Sequence, residues 1–341
     1  MIEIASQILY QAETKTSFQP LWERTGLTPR KCSSLLQRRT VDFSSHRSFR
    51  SSVEALEEHY GLTIPCTAVQ QVTQDIAQKA QRYNASVTAT QGASELLIVQ
   101  LDGSMVPIVE YSKPSSEQQQ EGLKRIRDCH WKEFRLCTVS LPAEATTYYG
   151  VTRGTPFEAG CMMYQTAQQK GMDEQTRIHG VADGAPWIAE QYEVQFGARH
   201  DFILDFYHTS EYLAEASKDL PGDRDSVDWF HEKQVQLKQG KSEEVLTELS
   251  ELSGSVSEQS ALPSAAQYLE NRKDQLEYHE AIKQGLPIGS GEVESGHRSV
   301  LQARLKKTGA WWKLENAESM SHLKVLQANQ NWRPFWQSLA A

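Results

Sequence analysis

The chain changes texture at Ser94. Leu96-Leu97-Ile98-Val99-Gln100-Leu101-Asp102 is a short, nearly continuous apolar run that ends on a carboxylate, the pattern of a strand covered on both faces. Gly103-Ser104 predicts a turn into a second strand at Val106-Pro107-Ile108-Val109. Residues from Trp131 to Leu141 alternate, with Phe134, Leu136, Thr138 and Ser140 on one face and Arg135, Cys137 and Val139 on the other, which predicts a third strand. A helix is predicted over about Phe157–Lys170. Arg177-Ile178-His179-Gly180-Val181-Ala182-Asp183 reads as a fourth strand, again ending on Asp. Pro186-Trp187-Ile188 opens a further helix, and Phe202-Ile203-Leu204-Asp205-Phe206 reads as a fifth strand. Three hairpin-linked strands, a helix and a strand-helix-strand unit give an α/β class with a mixed five-stranded sheet and flanking helices.

The flanks read as helical. Val53, Leu56 and Tyr60 form one stripe, Gly61-Leu62-Thr63-Ile64-Pro65 breaks it, and Val69, Val72 and Ile76 form the next. That pair fits a helix-turn-helix or an ordinary α-hairpin; the second helix carries little basic charge before Lys79 and Arg82. Between Ser210 and Gln284 the chain is almost all helix-former. Val245, Leu246, Leu249 and Leu252 make one stripe, and Ala265, Leu269, Leu276 and Ile282 suggest a longer helix. The predicted division is an N-terminal helical region over 1–90, the first part of an α/β core over 94–209, a helical insertion over 210–285, and the last core helix with a basic tail over 286–341. Residues 1–50 are polar, basic and Ser-rich and are expected to be only partly ordered.

Composition narrows the class. The 341 residues are 39% hydrophobic and 23% charged, no apolar run approaches the ~18–20 residues of a membrane span, and the acidic Met1-Ile2-Glu3-Ile4 start lacks the basic and apolar stretch of a signal peptide. Five scattered cysteines without a C-x-x-C pair fit a reducing cytoplasm better than a disulfide scaffold or zinc ribbon. The net charge of −9 hides a segregation. From Trp22 to Arg50 seven bases face two acids, after Ser295 another seven face two, and between Tyr207 and Val293 acids outnumber bases by about nine. Two basic ends can hold a polyanion, although solvated faces of unrelated helices give the same counts.

Three acids stand out by position. Asp102 and Asp183 end predicted strands, where ligands of α/β sheets gather; Glu294 lies in Gly289-Ser290-Gly291-Glu292-Val293-Glu294-Ser295-Gly296-His297-Arg298, at a helix opening. Carboxylates that share a site repel unless a cation neutralises them. Hard oxygens suit Mg²⁺, and a third acid completes a two-metal site for in-line phosphoryl transfer. A lone Asp-Gly is otherwise a common turn. The dinucleotide fingerprint fails, because Glu294 occupies the third glycine position and no strand precedes it. No Walker A or G-x-S-x-G sequence is present. Asp205 and His208 stand at the end of the fifth strand, either beside a metal site or as a buried pair. Trp311, Trp312, Trp332, Phe335 and Trp336 lie among the tail bases, where they can stack on nucleotides or pack the last helices onto the sheet.

Four ordered runs resemble bacterial insertion-sequence transposases of the ISKra type: Leu101-Asp102-Gly103, Val181 to Ile188, Asp205-Phe206-Tyr207-His208, and Gly289 to Arg298. Arg304-Leu305-Lys306-Lys307-Thr308-Gly309-Ala310-Trp311-Trp312 continues the match, which covers about residues 50–336. These are DDE transposases related to the Mutator-like group, with an RNase H-like core. The resemblance implies Asp102, Asp183 and Glu294 as the catalytic, metal-holding triad, with Glu292 as a near rival for the third place. It implies Asp205 and His208 as an auxiliary acid-x-x-His motif, and Arg298, Arg304, Lys306, Lys307 and Trp312 as nucleic-acid contacts. It further implies Mg²⁺, with Mn²⁺ able to substitute, transposon-end and target DNA as partners, and a homodimer or higher oligomer on DNA. Longer relatives carry a cysteine-bearing region ahead of the helix pair, whereas only Cys32 precedes Arg50 here. A short form, one product of a split frame or a truncated copy is expected. The rival functions are a remnant that binds DNA without cutting it and a metal-independent glycan hydrolase built on a carboxylate pair.

Overall fold

The computed structural model describes residues 8–18, 32–88, 92–115, 124–142, 144–257 and 259–339. Residues 1–7 of the expected partly ordered start, and Trp22–Lys31 of the basic run, lie outside the described residues. The chain forms two compact units, one of Val87–Gln302 and one of Met1–Ser86 with Ala303–Ala341.

The smaller unit begins with a hairpin of β1 (Leu9–Gln11) and β2 (Thr16–Phe18). Among the described residues three helices follow: α1 (Ser34–Ser44), α2 (Phe49–Tyr60) and α3 (Cys66–Ser86). Ser33 and Ser48 cap α1 and α2 by accepting from the backbone N–H groups of Leu36 and Ser51. The second predicted stripe faces inward, with Val69, Val72 and Ile76 buried; of the first, Leu56 is buried, Val53 half-buried and Tyr60 exposed.

The larger unit is built on one sheet. Its strands are β3 (Leu96–Ser112), β4 (Ile126–Ser140), β5 (Tyr148–Thr152), β6 (Arg177–Ala182) and β7 (His200–Leu204), with helix α4 (Pro156–Gln169) before β6 and helix α5 (Pro186–Phe196) before β7. The spatial order is β5-β4-β3-β6-β7. The β3–β4 and β4–β5 pairs are antiparallel, and the β3–β6 and β6–β7 pairs are parallel. The predicted turn at Gly103-Ser104 is absent. These residues pair with Arg135 and Phe134 of β4, so the first two predicted strands are a single strand of 17 residues. The strand not predicted from the sequence is β5, in which Tyr148-Tyr149-Gly150-Val151-Thr152 neither alternates nor forms an apolar run.

Strand parity sorts the side chains. Leu97, Val99, Leu101, Ile178 and Ala182 pack against Met163, Ala167, Ile188 and Tyr192 of α4 and α5. On the opposite face Ile98, Val181 and Ile203 meet the helices that follow β7. These are α6 (Phe206–Ser217), α7 (Ser226–Lys238), α8 (Ser242–Ser253), α9 (Ala261–Glu270) and α10 (Tyr278–Lys283). Val245, Leu249 and Leu252 of α8 join Leu262, Ala265 and Leu269 of α9 in that core. The long helix suggested by Ala265 to Ile282 is broken: α9 ends at Glu270, Leu276 is buried in the connection, and Ile282 is 44% exposed.

Helix α11 (Gly291–Gly296) and a π-helical segment, His297–Gln302, close the larger unit. The smaller unit resumes with a single turn at Ala303–Leu305, then α12 (Leu314–Ala328), which packs along α3, and α13 (Trp332–Ser338). Three of the tail aromatics join the N-terminal helices. Phe335 meets Tyr83 edge-on, Trp312 meets Phe49, and the Trp332 indole N–H donates to Asp42 at 2.9 Å. Among the described residues no helix is long and apolar enough to cross a membrane, and all five cysteines are free.

Candidate active site

Three polar side chains, two in β3 and β6 and one just beyond β7, hold one segment across the sheet. Gln100 of β3, 1% exposed, donates to the Gly289 carbonyl at 3.2 Å and accepts from the Val293 N–H at 3.0 Å. His179 of β6 donates from Nε2 to the Pro287 carbonyl at 2.8 Å. Asp205, just after β7, accepts from the Ser290 N–H at 2.6 Å and its hydroxyl at 2.5 Å. The Phe206 N–H adds a backbone bond to the Ile288 carbonyl. Buried polar groups in mid-strand are costly without partners, and here each has one in residues 287–293. The glycine-rich motif is therefore fixed in register before α11 begins. Gly289 lies against the Tyr207 ring, where a Cβ would stand 2.6 Å from the ring edge. A Cβ on Gly296 would meet Leu136 and Tyr149 at 2.9 Å.

Asp102 and Asp183 share the face so framed. Gln100 pairs with Val181 in the parallel β3–β6 ladder. Two residues on, Asp102 continues β3 and Asp183 stands just past the end of β6, close enough for the charge of Asp102 to bear on it. Asp102 Oδ1 accepts from the Gly103 N–H at 2.6 Å, and Asp183 Oδ1 accepts from the Ala185 N–H at 3.2 Å. Burial holds the Asp183 carboxyl above the usual carboxylate range; the Ala185 N–H opposes that shift, and the negative charge of Asp102 adds to it.

The third acid is not gathered with them. Glu294 is exposed and faces Arg298 one turn along at 3.6 Å. Glu292 turns the other way and accepts from the Ser140 hydroxyl at the end of β4, at 2.9 and 3.1 Å. The side chain that α11 delivers to Asp102 is His297, 3% exposed, with Nε2 at 3.2 Å from Oδ2. Among the described residues no three His, Cys, Asp or Glu side chains are close enough together to hold a metal ion.

Asp205 is a structural carboxylate. Its Oδ1 caps α6 by accepting from the N–H groups of Tyr207 and His208, and its Oδ2 is taken by Ser290. His208 is partly exposed, faces Glu211 at 3.3 Å and lies edge-on to Tyr268; its charge bears on Asp183. The break after α9 brings in residues that no motif marked. Arg272 donates from Nε and Nη2 to the Gly184 carbonyl at 2.8 and 2.5 Å and stacks on Tyr268 at 3.9 Å, so the insertion pins the loop that carries Asp183. A long connection between helical stripes was the only trace of this in the sequence.

The expected nucleic-acid contacts divide. Arg298 is exposed on the larger unit, and Lys306 and Lys307 are half-buried on the smaller one. Arg304 and Trp312 are interior, 3% and 6% exposed. Arg304 donates to the Ser44 carbonyl at 2.9 Å and its guanidinium lies over both the Phe49 and Trp312 rings, at 4.8 and 4.6 Å, and Trp312 donates to the Leu305 carbonyl. The Trp312 ring serves packing and does not stack on bases, because it lies below the surface.

The family profile described as "Uncharacterised protein family (UPF0236)" matches residues 165–334. One UPF0236 protein of Caldanaerobacter subterraneus subsp. tengcongensis is 27% identical over 157 residues, and a second is 28% identical over the same length. Each match covers 45% of this chain and 31% of the relative, so the chain spans under a third of the length of these curated relatives. Among solved structures, the chain is similar to the Drosophila P element transposase strand transfer complex at a TM-score of 0.31 and 9% identity, over 93% of this chain and 83% of that one.

Proposed function

We propose that this chain carries the RNase H-like catalytic core of a DDE transposase, which cleaves DNA phosphodiesters with a divalent metal and transfers the freed strand. The observation that carries the reading is the nearness of two acids in the middle of the β5-β4-β3-β6-β7 sheet: Asp102, within β3, and Asp183, just past the end of the adjacent parallel strand β6, where the charge of Asp102 bears on it. The element order supports it: three antiparallel strands, a helix, two parallel strands, a helical insertion, and a final helix brought back over the same face.

The donor set fits a divalent cation in part. Asp102 and Asp183 are hard oxygen donors that repel each other, and a cation relieves that repulsion. They would hold it, with Glu294 as third ligand once its carboxylate exchanges Arg298 for the metal. Mg²⁺, or Mn²⁺ in its place, supplies when bound the charge that activates the attacking oxygen and stabilises the leaving one. The chain's own residues set the geometry. Gln100, His179 and Asp205 fix the approach of α11, Arg272 fixes the Gly184 carbonyl beside Asp183, and His297 confines the Asp102 carboxylate. Arg298, Lys306 and Lys307 supply charge for the DNA backbone, and the resemblance implies that the chain works on DNA as a homodimer or larger assembly.

The test uses the purified chain, duplex DNA bearing the inverted repeats that flank its reading frame, and Mg²⁺ or Mn²⁺. Cleavage is expected, and Asp102→Asn and Asp183→Asn are expected to abolish it while leaving the gel shift intact. Undiminished cleavage by Asp102→Asn would overturn the assignment. One observation favours a second reading, DNA binding without cleavage: Glu294 is engaged with Arg298 and stands outside the acid pair. A gel shift with no cleavage in either metal would select that reading.

A further inference from the structure

The basic residues of the two chain ends meet inside the smaller unit. Lys324 of α12 is 6% exposed, and its Nζ lies 3.2 Å from His46 Nδ1 and 3.4 Å from Gln327 Oε1. Arg304 is 3% exposed and leaves Nη2 without a hydrogen-bond partner among the described residues. Burial, with the charges of Arg304 and Lys307 beside it, brings the Lys324 ammonium down to about 8, and burial alone brings Arg304 down to about 10. His46 is exposed and feels both Lys324 and Lys307. The acid facing this group is Asp42, which acts on His46 but is engaged by Arg39 at 3.6 Å and by the Trp332 indole. Among the described residues no carboxylate pairs with Arg304, Lys307 or Lys324.

A buried charge without a counter-ion is a strongly unfavourable arrangement, and two side by side are worse. A fold that keeps them gains by leaving room for an anion. The arrangement has a wet side, at His46 and half-buried Lys307, and a dry side, at Lys324 and Arg304. A planar guanidinium with a spare N–H, together with two ammonium groups, suits an acceptor with several charged oxygens better than a single carboxylate.

We propose that His46, Arg304, Lys307 and Lys324 form an oxyanion site that takes a phosphate group, either of a DNA backbone or as free inorganic phosphate. The DNA source rests on the reading of the chain as a DNA-acting protein; the free-phosphate source does not.

The experiment uses the full chain, Lys324→Met and Lys307→Gln. Arg304 is left in place because its removal would strip a buried contact from the Phe49 and Trp312 rings. Thermal midpoints are measured in phosphate against chloride at matched ionic strength, and affinity for a short duplex is measured across a salt series. Without phosphate, Lys324→Met is expected to be at least as stable as the parent, because it removes an unpaired buried charge; this also shows that the variant folds. A site for free phosphate gives a midpoint rise in the parent that both variants lose. A site for backbone phosphate gives little response to free phosphate, an affinity about tenfold lower in each variant, and a salt slope reduced by about one. If the variants match the parent in both measurements, the site does not exist. Asp102→Asn run alongside is expected to lose cleavage and keep the anion response, so failure of the acid-pair reading stays distinct from failure of this one.

Discussion

His297 Nε2 stands 3.2 Å from Asp102 Oδ2, while Oδ1 of the same carboxylate accepts from the Gly103 N–H at 2.6 Å. Each oxygen of Asp102 thus has a neighbour that limits its rotation. Neither ring nitrogen of His297 has a hydrogen-bond partner among the described residues, so its buried imidazole has the acid as its polar neighbour. Truncating His297 to Ala is expected to lower cleavage by about 10–100-fold, the range for groups that orient a metal-holding side chain, and His297→Gln is expected to recover part of it. Plasmid nicking by the two variants, with thermal midpoints to confirm folding, checks this. An alanine variant of full activity would show that Asp102 is positioned without it.

Asp183 is where function and stability are opposed. Its carboxyl is held above the ordinary range by burial and by Asp102, so at neutral pH its charged form weakens the fold. Asp183→Asn is therefore expected to raise the thermal midpoint in metal-free buffer by a few degrees and to abolish cleavage. A lowered midpoint would mean that the Ala185 N–H bond outweighs the burial.

The close approach at Gly296 makes a steric prediction. Any Cβ there meets Leu136 and Tyr149 at 2.9 Å, and both belong to the sheet against which α11 is held. Gly296→Ala is expected to cost about 1–3 kcal/mol, as for overpacking of a filled core, and to reduce cleavage through displacement of the adjoining His297. Urea denaturation and nicking assays on one preparation check both parts. Unchanged stability would mean that the helix slides freely.

Much of this was legible in the sequence, and the misses have physical causes. The apolar run ending on Asp183 marks the end of β6, because a strand covered on both faces must be continuously apolar; the run ending on Asp102 marks only the covered half of β3, which continues to Ser112. The turn at Gly103-Ser104 was misread because pairing with Arg135 and Phe134 outweighs a local turn preference. The Gly289–Arg298 motif announced itself, but its division of labour did not. Ser290 belongs to Asp205, Glu292 to Ser140 and His297 to Asp102, and those contacts span 85, 152 and 195 residues of sequence. Trp312 illustrates the opposite error: an aromatic among tail bases reads as a nucleic-acid contact until its burial against Phe49 and Arg304 is seen.

The two glutamates of α11 can be separated. Glu292 accepts two contacts from Ser140 and raises the Tyr149 hydroxyl through its charge, secondary to burial, so its role lies at the β4–β5 side of the sheet. Glu292→Gln keeps an acceptor for Ser140 and is expected to retain most cleavage. Glu294→Gln is expected to abolish it while leaving stability within about 0.5 kcal/mol, as for an exposed side chain. The reverse pattern would make Glu292 the third acid and require α11 to turn on its axis.

The smaller unit carries its own acid sensitivity. Burial pulls the His322 imidazole down to about 4 from an unperturbed 6.5, with the charge of Glu318 opposing the shift. Between those values the unfolded chain binds a proton that the folded chain refuses. Stability is therefore fully present above 6.5 and is lost as the pH falls toward 4, with a slope of at most about 1.4 kcal/mol per pH unit for one proton. His322→Gln removes the titration but keeps the backbone carbonyl that accepts from Asn84. The difference between the parent and this variant, followed by urea denaturation from pH 7 down to 4, is expected to move steadily against the parent. Parallel curves would mean that His322 takes up its proton in the folded state as readily as in the unfolded one.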